Sequence, residues 1–345
     1  MNIAILVCDN GFGHMRRSLS IALNLTKFGH AVEIFGNKVG YENVVKAFKL
    51  KNIPFRFIES NFSYNLKYFT NGFPEKFSIK QNFPDLDNYD FVLSDNILEV
   101  LEIRPDTILI AQFFWHEIIP KVNQEYKSKC RNLIQETSPI IFGDKYFSMR
   151  HIKESFNYVP VGLHALNLLK DRSYTEEKES RKNLLISGGN TQYAKNLFSR
   201  YIQYIIKNPI TDVDIVFVDK NIMPSKFPSW IKEATFDQEM YKSLIACICR
   251  PGLGTITENI YYGVKVFTLF EDDNLEMIHN SIALKKLNLG ENLLSIDSFN
   301  EQICNFIKNK GQIHKHFSNC ERIDFEGSIQ VCEKISEILF SKNLQ

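Results

Sequence analysis

The chain has 345 residues, of which 44% are hydrophobic and 23% are charged, and its formal net charge is +1. This length exceeds one ordinary hydrophobic core and predicts two domains, and the near-neutral charge gives no reason to expect nucleic acid as a partner. No apolar run approaches the roughly 20 residues that span a bilayer. The first residues lack the basic start and the cleavage site of a signal peptide, so we expect a cytoplasmic protein.

The first half of the chain alternates strands with helices. Residues 2–8 form a continuous apolar run, as in parallel strands that are covered on both faces. A loop at 9–13 leads into a helical pattern over 14–28, and another helix is predicted near 42–50. The other predicted strands of this half are 31–35, 55–58, 89–94, 107–111, 140–142 and 158–161. This order predicts a doubly wound parallel sheet.

Residues 61–87 break this alternation. The segment holds seven aromatic residues with lysines between them: Phe62, Tyr64, Tyr68, Phe69, Phe73, Phe77 and Phe83. Because a stretch of this length without clear periodicity is often functional, we expect it to help seat a substrate. The alternative is that these rings are scattered core residues.

A polar, charged segment over 170–182 has the composition of a linker, and the alternation restarts after it. The strands predicted in this half are 183–186, 214–218, 244–249, 266–270 and 292–296, and the helices are 193–206, 255–262, 276–288, 298–309 and 328–340. We therefore predict an α/β protein with two Rossmann-like doubly wound domains that face across a cleft, where open α/β sheets bind ligands. The boundaries that we predict are 1–165 for the first domain, 166–182 for the linker, 183–326 for the second domain and 327–345 for a C-terminal helix.

The seven cysteines are scattered, and an odd number in a long chain predicts reduced thiols rather than disulfides. Cys247 and Cys249 point to the same face of a predicted strand, and no second Cys or His pair follows at zinc spacing, so we interpret them as core residues. The Asp-x-Asp sequence at 212–214 lies at the start of a strand, at the wrong edge of the sheet for a substrate-bound metal. We therefore expect no metal.

The loop after the first strand places two glycines and a histidine at the start of a helix. Gly11 and Gly13 let a substrate approach the backbone closely, and His14 could act as a general base toward a hydroxyl. Asp95 ends a later strand of the same sheet and could fix the tautomer of that imidazole. The alternatives are that His14 packs the helix start and that Asp95 caps a helix. Arg16 stands where a dinucleotide fingerprint needs a small residue, so a nicotinamide or flavin site is disfavoured.

Residues 250–258 turn a buried strand into a helix and read Arg-Pro-Gly-Leu-Gly-Thr-Ile-Thr-Glu. Backbone N–H groups and a helix dipole at one point suit a phosphate or diphosphate. Arg250 could pair with that phosphate, or it could form a structural ion pair. Glu258 could accept hydrogen bonds from sugar hydroxyls. A second glycine loop, which turns another strand into a helix, consists of Ser187, Gly188, Gly189 and Asn190; a plain tight turn is its alternative.

Three further groups of residues are weaker candidates. Arg17, His116 and Glu117 could contact an acceptor, although His116 and Glu117 could equally form a solvated turn. Residues 271–280 follow a strand and could touch a donor sugar, or they could form a solvated loop.

These motifs resemble the GT-B glycosyltransferases over most of the chain, from residue 1 to about 340, and in particular the group of the peptidoglycan N-acetylglucosaminyltransferase and the UDP-glycosyltransferases. Residues 11–14 are similar to the first glycine loop of that group, residues 187–190 to the loop that opens its second domain, and residues 250–258 to its main donor signature. Pro160 to Gly162 resembles the segment before its linker. The fold implies that the last helix crosses back to the first domain.

The resemblance also implies roles for individual residues. Gly252, Gly254 and Thr255 would hold the diphosphate and Glu258 the ribose, with His14 as the base and Asp95 as its support. The segment from Glu276 to Asn280 would face the donor sugar, with Met277 in place of the glutamine of the family.

Residues 10–19 also resemble the UDP-sugar hydrolase of pseudaminic acid biosynthesis, which has the same fold and attacks with water. The Arg-Pro-Gly start at 250–252 and the long C-terminal tail fit a transferase better. We therefore predict an inverting, metal-independent glycosyltransferase of bacterial surface glycan synthesis. Its partners would be a nucleotide-sugar donor, with a UDP-sugar favoured and a CMP-sugar left open, a glycan or lipid-linked acceptor, and the inner membrane surface as a peripheral contact. The donor is a co-substrate, and no cofactor is expected. Nucleotide-sugar hydrolysis and non-catalytic nucleotide-sugar binding are the alternatives.

Overall fold

The computed structural model describes residues 1–9, 11–62, 83–119, 122–166, 180–189, 192–270, 273–293, 295–296 and 299–342. The chain divides into a first unit, Met1–Asn167 with Asp324–Gln345, and a second unit, Leu168–Ile323. The chain thus returns to the first unit at Asp324, three residues before the helix boundary predicted at 327. Most of the predicted linker lies outside the described residues.

The first unit contains a parallel sheet of seven strands. These strands are β1 (Asn2–Val7), β2 (Ala31–Gly36), β3 (Arg56–Glu59), β4 (Phe91–Asp95), β5 (Ile108–Ile110), β6 (Ile141–Asp144) and β7 (Tyr158–Val161). Their order across the sheet is β3-β2-β1-β4-β5-β6-β7. The chain winds outward from β1 in both directions, which is the doubly wound order.

Helices cover both faces of this sheet, as the sequence of β1 requires. Ile3, Ile5 and Val7 belong to one hydrophobic cluster, whereas Ala4 and Leu6 belong to another. Successive side chains of a strand point to opposite faces, so each face of β1 is covered by its own core. The helices are α1 (Phe12–Lys27), α2 (Lys38–Ala47), α3 (Trp115–Ile118), α4 (Gln124–Thr137), α5 (Arg150–Lys153) and α12 (Gly327–Lys342), with a 3-10 helix at Leu98–Glu102.

The C-terminal helix α12 belongs to the first unit. Val331, Cys332 and Ile335 are buried in the same cluster as Ile3 and Ile5. The hydroxyl of Ser328 donates a hydrogen bond of 2.8 Å to the Oγ of Ser20 on α1. The last helix therefore completes the core of the unit in which the chain begins.

The second unit contains a parallel sheet of six strands. They are β8 (Asn183–Ser187), β9 (Ile215–Val218), β10 (Ile231–Glu233), β11 (Leu244–Cys249), β12 (Lys265–Thr268) and β13 (Gly290–Asn292), in the order β10-β9-β8-β11-β12-β13. The helices are α6 (Gln192–Lys207), α7 (Gln238–Ser243), α8 (Leu253–Tyr261), α9 (Leu275–Lys286), α10 (Phe299–Lys308) and α11 (Lys310–Glu321), with a 3-10 helix at Lys220–Ile222. The order is again doubly wound from the first strand of the unit.

Some elements differ from the sequence prediction. The strand predicted over 292–296 covers Gly290–Asn292 instead, and β10 and α11 are not anticipated by the sequence pattern. Strand β10 has three residues, too few for an alternation of apolar and polar residues to be recognised.

Only part of the aromatic segment over 61–87 can be assessed, because residues 63–82 lie outside the described residues. Phe62 is fully buried, and its ring stacks on Phe83 with the ring centroids 5.4 Å apart. For these two rings the structure favours the core interpretation. No helix in the described part of the chain combines the length and the apolar character needed to cross a membrane.

Candidate functional site

In the first sheet, the strand order reverses its direction between β1 and β4. The chain leaves β1 toward β2 on one side, and β4 lies on the other side. In open α/β sheets, ligands bind outside the carboxyl ends of the strands at such a topological switch point. Asp95 is the last residue of β4 and pairs with Val7 at the end of β1. His14 lies in the first turn of α1, directly after the loop that leaves β1. Both residues therefore belong to the switch point.

His14 and Asp95 are in direct contact. The His14 Nδ1 lies 2.7 Å from the Asp95 Oδ1, the carboxylate is fully buried, and the His14 side chain keeps 14% of its exposure. Because Nδ1 faces a carboxylate, the hydrogen of the neutral ring belongs on Nδ1, which leaves the lone pair on Nε2. The arrangement is that of a histidine whose tautomer is fixed by an acidic neighbour.

The Asp95 carboxylate accepts three more hydrogen bonds. The Arg17 guanidinium donates from Nε to Oδ2 at 2.9 Å and from Nη2 to Oδ1 at 2.5 Å, and the Ser18 hydroxyl donates to Oδ2 at 3.0 Å. Burial alone would raise the pKa of Asp95, but the charge of Arg17 and then the His14 ring hold that pKa well below its ordinary value. The carboxylate is thus ionised and fixed in one orientation.

The Arg17 side chain contacts a different partner from the one that the sequence predicts. The sequence suggests an acceptor contact, but the side chain is 11% exposed and forms an ion pair with Asp95. Arg17 and Ser18 follow His14 by three and four residues on α1, so all three side chains lie on one face of the helix. That spacing is visible in the sequence, but the sequence does not show that Asp95 lies opposite this face of the helix.

The structure places the side chains of His116 and Glu117 in contacts within the fold, and these contacts give no support to the predicted role at an acceptor. His116 is 2% exposed, stacks on Phe114 with the ring centroids 5.5 Å apart, and burial lowers its pKa to about 4. Burial would raise the pKa of Glu117, but hydrogen bonds from Arg131 and Lys127 lower it to about 2. These contacts hold α3 against α4.

The second sheet reverses its winding between β8 and β11, and the two predicted glycine loops leave from this point. Ser187 at the end of β8 pairs with Cys249 at the end of β11, and the Arg250 N–H donates to the Ser187 carbonyl at 3.0 Å. Gly189 has a φ of +72°, which favours glycine, and a Cβ built there would lie 3.8 Å from the Arg250 Cδ. The two loops are therefore neighbours at one switch point. Gly188 belongs to this loop, and Asn190 lies outside the described residues.

Helix α8 begins at this switch point without a side-chain cap. Gly252 is the N-cap residue and has no side chain that could cap the helix, and the first turn contains no acidic residue. Gly252, Gly254 and Thr255 are half-buried. A helix start of this kind directs backbone N–H groups and the positive end of the helix dipole toward an anion.

Two residues predicted to contact the donor, Glu258 and Asn280, are buried in the structure. Glu258 is 1% exposed and Asn280 is fully buried, so a sugar reaches neither without rearrangement. The Asn280 side chain donates a 2.8 Å hydrogen bond to the Pro251 carbonyl, so it holds the turn that precedes α8. Met277 is 1% exposed and packs in the core, which explains an apolar residue there. Glu276 lies half-buried in the first turn of α9, and residues 271–272 lie outside the described residues.

Metal ligands are not gathered in the described part of the chain, where no group of three or more His, Cys, Asp or Glu side chains could hold an ion. Asp212 of the Asp-x-Asp sequence lies 3.5 Å from the Lys308 ammonium. Cys247 and Cys249 are fully buried on β11, as core residues.

No protein-family model and no curated protein matches the chain. Solved structures do match. The glycotransferase of kitacinnamycin has a TM-score of 0.63 at 10% identity, with 97% of this chain and 98% of that chain covered. The glycosyltransferase SnogD from Streptomyces nogalater has a TM-score of 0.62 at 11% identity, with 98% and 100% covered. SsfS6, a glycosyltransferase from Streptomyces sp. SF2575 solved with thymidine diphosphate, has a TM-score of 0.59 at 12% identity, with 98% and 99% covered. At these identities the similarity establishes the fold, and the prediction is confirmed at that level: the chain has the GT-B fold of these glycosyltransferases.

Proposed function

We propose that the protein is an inverting glycosyltransferase that moves a sugar from a nucleotide-sugar donor to an acceptor hydroxyl without a metal. The observation that carries this proposal is the contact of 2.7 Å between His14 Nδ1 and the buried Asp95 carboxylate at the switch point of the first sheet. A histidine held in one tautomer by an ionised carboxylate suits the removal of a proton from a hydroxyl.

The chemistry assigned to the first unit is a single displacement. His14 Nε2 takes the proton of the acceptor hydroxyl, the oxygen bonds to the anomeric carbon, and the bond from that carbon to the diphosphate breaks. Since one nucleophile replaces one leaving group from the opposite side, the configuration of the sugar inverts. Asp95 stabilises the imidazolium that forms and keeps its ring in place.

The second unit would hold the donor. The uncapped start of α8 and Arg250 would stabilise the negative charge of the leaving diphosphate, which accounts for a reaction without a metal. The Gly189 loop lies beside Arg250 and would let the donor approach the backbone. Support comes from the neighbour SsfS6, which was solved with thymidine diphosphate. We propose a UDP-linked sugar for this chain, with other nucleotides as outcomes of the test below.

The acceptor would approach the first unit. Phe12 is 41% exposed in the first turn of α1, and Val39 is 62% exposed in the first turn of α2. A Cβ at Gly40 would lie 3.8 Å from the Phe12 ring, so these two helix starts are adjacent. Exposed apolar side chains beside His14 fit an acceptor with an apolar part, such as a lipid-linked glycan of bacterial surface synthesis. Such an acceptor would bring the protein to the inner membrane surface.

The replacement His14→Ala tests the role of the base. We expect turnover to fall about a hundredfold or more while the affinity for the nucleotide stays within about twofold, because the base acts only in the chemical step. Turnover is measured as nucleotide release in the presence of an acceptor extract, and affinity by titration calorimetry. His314→Ala, at an exposed position of α11, is the matched control. Unchanged turnover in His14→Ala would remove this residue from the mechanism.

A panel of UDP-, GDP-, TDP- and CMP-sugars identifies the donor. A ligand that binds the folded state raises the thermal midpoint in proportion to its affinity, so the correct donor should give the largest shift. Nucleotide release at an enzyme's rate without any acceptor would indicate a nucleotide-sugar hydrolase instead. Binding without turnover in either protein, with and without His14, would indicate a binding protein.

A further inference from the structure

The Asp95 carboxylate has two neighbours that can carry positive charge, although a histidine and carboxylate pair needs only one. Arg17 donates to both carboxylate oxygens, whereas His14 donates to one of them. The Arg17 Nη2 also lies 3.4 Å from the His14 Nδ1. Both nitrogens are donors toward Asp95 Oδ1, so they share one acceptor and do not bond to each other.

The net charge of this cluster depends on the protonation of His14. With neutral His14, the cluster holds one negative charge on Asp95 and one positive charge on Arg17, and the two balance. Protonation of His14 would add a second positive charge close to that of Arg17. Like charges at this separation oppose each other, and a buried site screens them less than water does.

We propose that Arg17 is a positioning residue that keeps Asp95 ionised and His14 uncharged, so that His14 Nε2 can accept a proton at neutral pH. A lone carboxylate beside His14 would favour the imidazolium, whose Nε2 already carries a proton and cannot accept another. Arg17 balances the negative charge of Asp95, and Asp95 orients the neutral ring. The inference rests on the proposed function only for its link to catalysis, since the charge relation itself can be measured without any substrate.

Four other titratable groups lie near this cluster and must be controlled. Asp9 lies in the loop before α1, and burial raises its pKa. Burial also raises the pKa of Asp144, at the end of β6, and lowers the pKa of His164 to about 3, so this histidine stays neutral at neutral pH. Cys8 is buried next to Asp9. Asp9 and Asp144 are the groups whose titration could be mistaken for that of Arg17 or Asp95.

The direct experiment is an NMR titration of the His14 ring, assigned by its absence in His14→Gln. In Arg17→Gln the midpoint should rise by about one to three pH units, because Asp95 then faces His14 without another counter-charge. In Arg17→Lys the charge is kept and the midpoint should move by less than half of that. Ser18→Ala removes a neutral donor to the same carboxylate and should leave the midpoint in place. Repeating the comparison in an Asp9→Asn background excludes a contribution from Asp9.

If a single variant fails to fold, the double variant Arg17→Gln with Asp95→Asn tests whether Arg17 influences His14. This variant should fold because it leaves no buried charge unpaired. If Arg17 balances Asp95, both effects on His14 disappear together, and the midpoint stays within about half a unit of that of the original protein. If Arg17 has no influence, only the loss of Asp95 remains, and the midpoint falls by about a unit or more. A fall of that size, or an unmoved midpoint in a folded Arg17→Gln, would overturn the proposal.

The activity profile is the second readout and separates this inference from the proposed function. In Arg17→Gln the acid limb of kcat should move upward by the same interval as the NMR midpoint, with a tenfold loss of kcat for each pH unit below the new midpoint, and KM for the donor should change little. An NMR shift in a protein that has no nucleotide-sugar turnover would support the role of Arg17 while rejecting the transferase. Turnover with an unshifted acid limb would support the transferase while rejecting the role of Arg17.

Discussion

The two switch points have the same topology but are built from different chemical groups. In the first sheet, the point between β1 and β4 is occupied by ionisable side chains: His14, Arg17 and Asp95 form a cluster closed by hydrogen bonds. In the second sheet, the point between β8 and β11 is occupied mainly by backbone: glycine loops and the uncapped start of α8, with Arg250 as the charged side chain.

This difference shows that the doubly wound order determines where a site lies but not what the site does. The same winding places two loops beside each other at the carboxyl edge of each sheet. Side chains with a defined protonation state suit the transfer of a proton, and backbone amides suit the binding of an anion whose charge is always present. The fold supplies the place, and the residues in the loops supply the chemistry.

The contrast predicts different responses to the loss of charge, and this is the largest effect that we expect. Asp95→Asn leaves the buried Arg17 guanidinium without its carboxylate, so the free energy of unfolding should fall by about 3–5 kcal/mol. Arg250→Gln removes a charge from a half-buried position at the other switch point and should cost about 1 kcal/mol or less. Urea denaturation of both variants measures the difference. Equal losses would show that the two points are not distinguished by buried charge.

Acid should weaken the protein through histidines that the fold keeps neutral. The pKa of His164 is lowered by burial to about 3 in the folded state, against an ordinary value of 6.5. Between these values the unfolded chain holds a proton that the folded chain lacks, so stability is full above pH 6.5 and falls as the pH drops, by about 1.4 kcal/mol per pH unit for this group.

The matched variant for this effect is His164→Gln, in which that slope should be absent. His164 belongs to the first unit, so amide hydrogen exchange in strands β1 and β4 should respond to the replacement between pH 6 and 4, whereas exchange in β8 and β11 should not. An identical pH dependence in the two proteins would contradict the assignment of a neutral, buried His164.

The smallest effect distinguishes stability from binding at the second switch point. Gly252 has a φ of −69°, and a Cβ there meets nothing within 4 Å. Gly252→Ser should therefore supply the missing cap and stabilise the ligand-free protein by about a few tenths of a kcal/mol. The same side chain would take the N–H groups that a diphosphate needs, so the thermal shift caused by the nucleotide should shrink.

Gly29→Ser, in the first unit and outside the proposed donor site, is the matched control for that experiment. With a φ of +86°, a side chain at this position strains the backbone and should cost about 1–2 kcal/mol, while the thermal shift caused by the nucleotide should stay the same. A Gly252→Ser protein that is more stable and binds nucleotide as tightly as before would show that the start of α8 does not hold the anion.

Some features of the first unit could be predicted from the sequence and others could not. The continuous apolar run over 2–8 and the glycine punctuation after it predict β1 and the first turn of α1, because both depend on local pattern. The meeting of His14 with Asp95 follows from the rule that parallel strands end at one edge. The role of Arg17 does not follow, because the rule brings the start of α1 close to the end of β4 but does not show that the Arg17 side chain pairs with Asp95 instead of facing a ligand.

Burial is the property that the sequence pattern did not show at the other positions. Asn280 and Glu258 have the polar side chains expected of ligand contacts, yet the structure buries both. The Asn280 amide donates a hydrogen bond to the Pro251 carbonyl, which satisfies this donor as well as a sugar hydroxyl would. The same holds for His116, because the sequence does not distinguish a buried, stacked imidazole from an exposed one.

The sequence by itself determined the elements that depend on periodicity, the doubly wound order and the two loops in which chemistry is concentrated. Tertiary structure alone decided which polar side chains became partners of each other and which remained accessible. The physical reason is that hydrophobic periodicity is a local property, whereas the ionisation of Asp95 and the burial of Asn280 depend on groups that folding brings from distant parts of the chain.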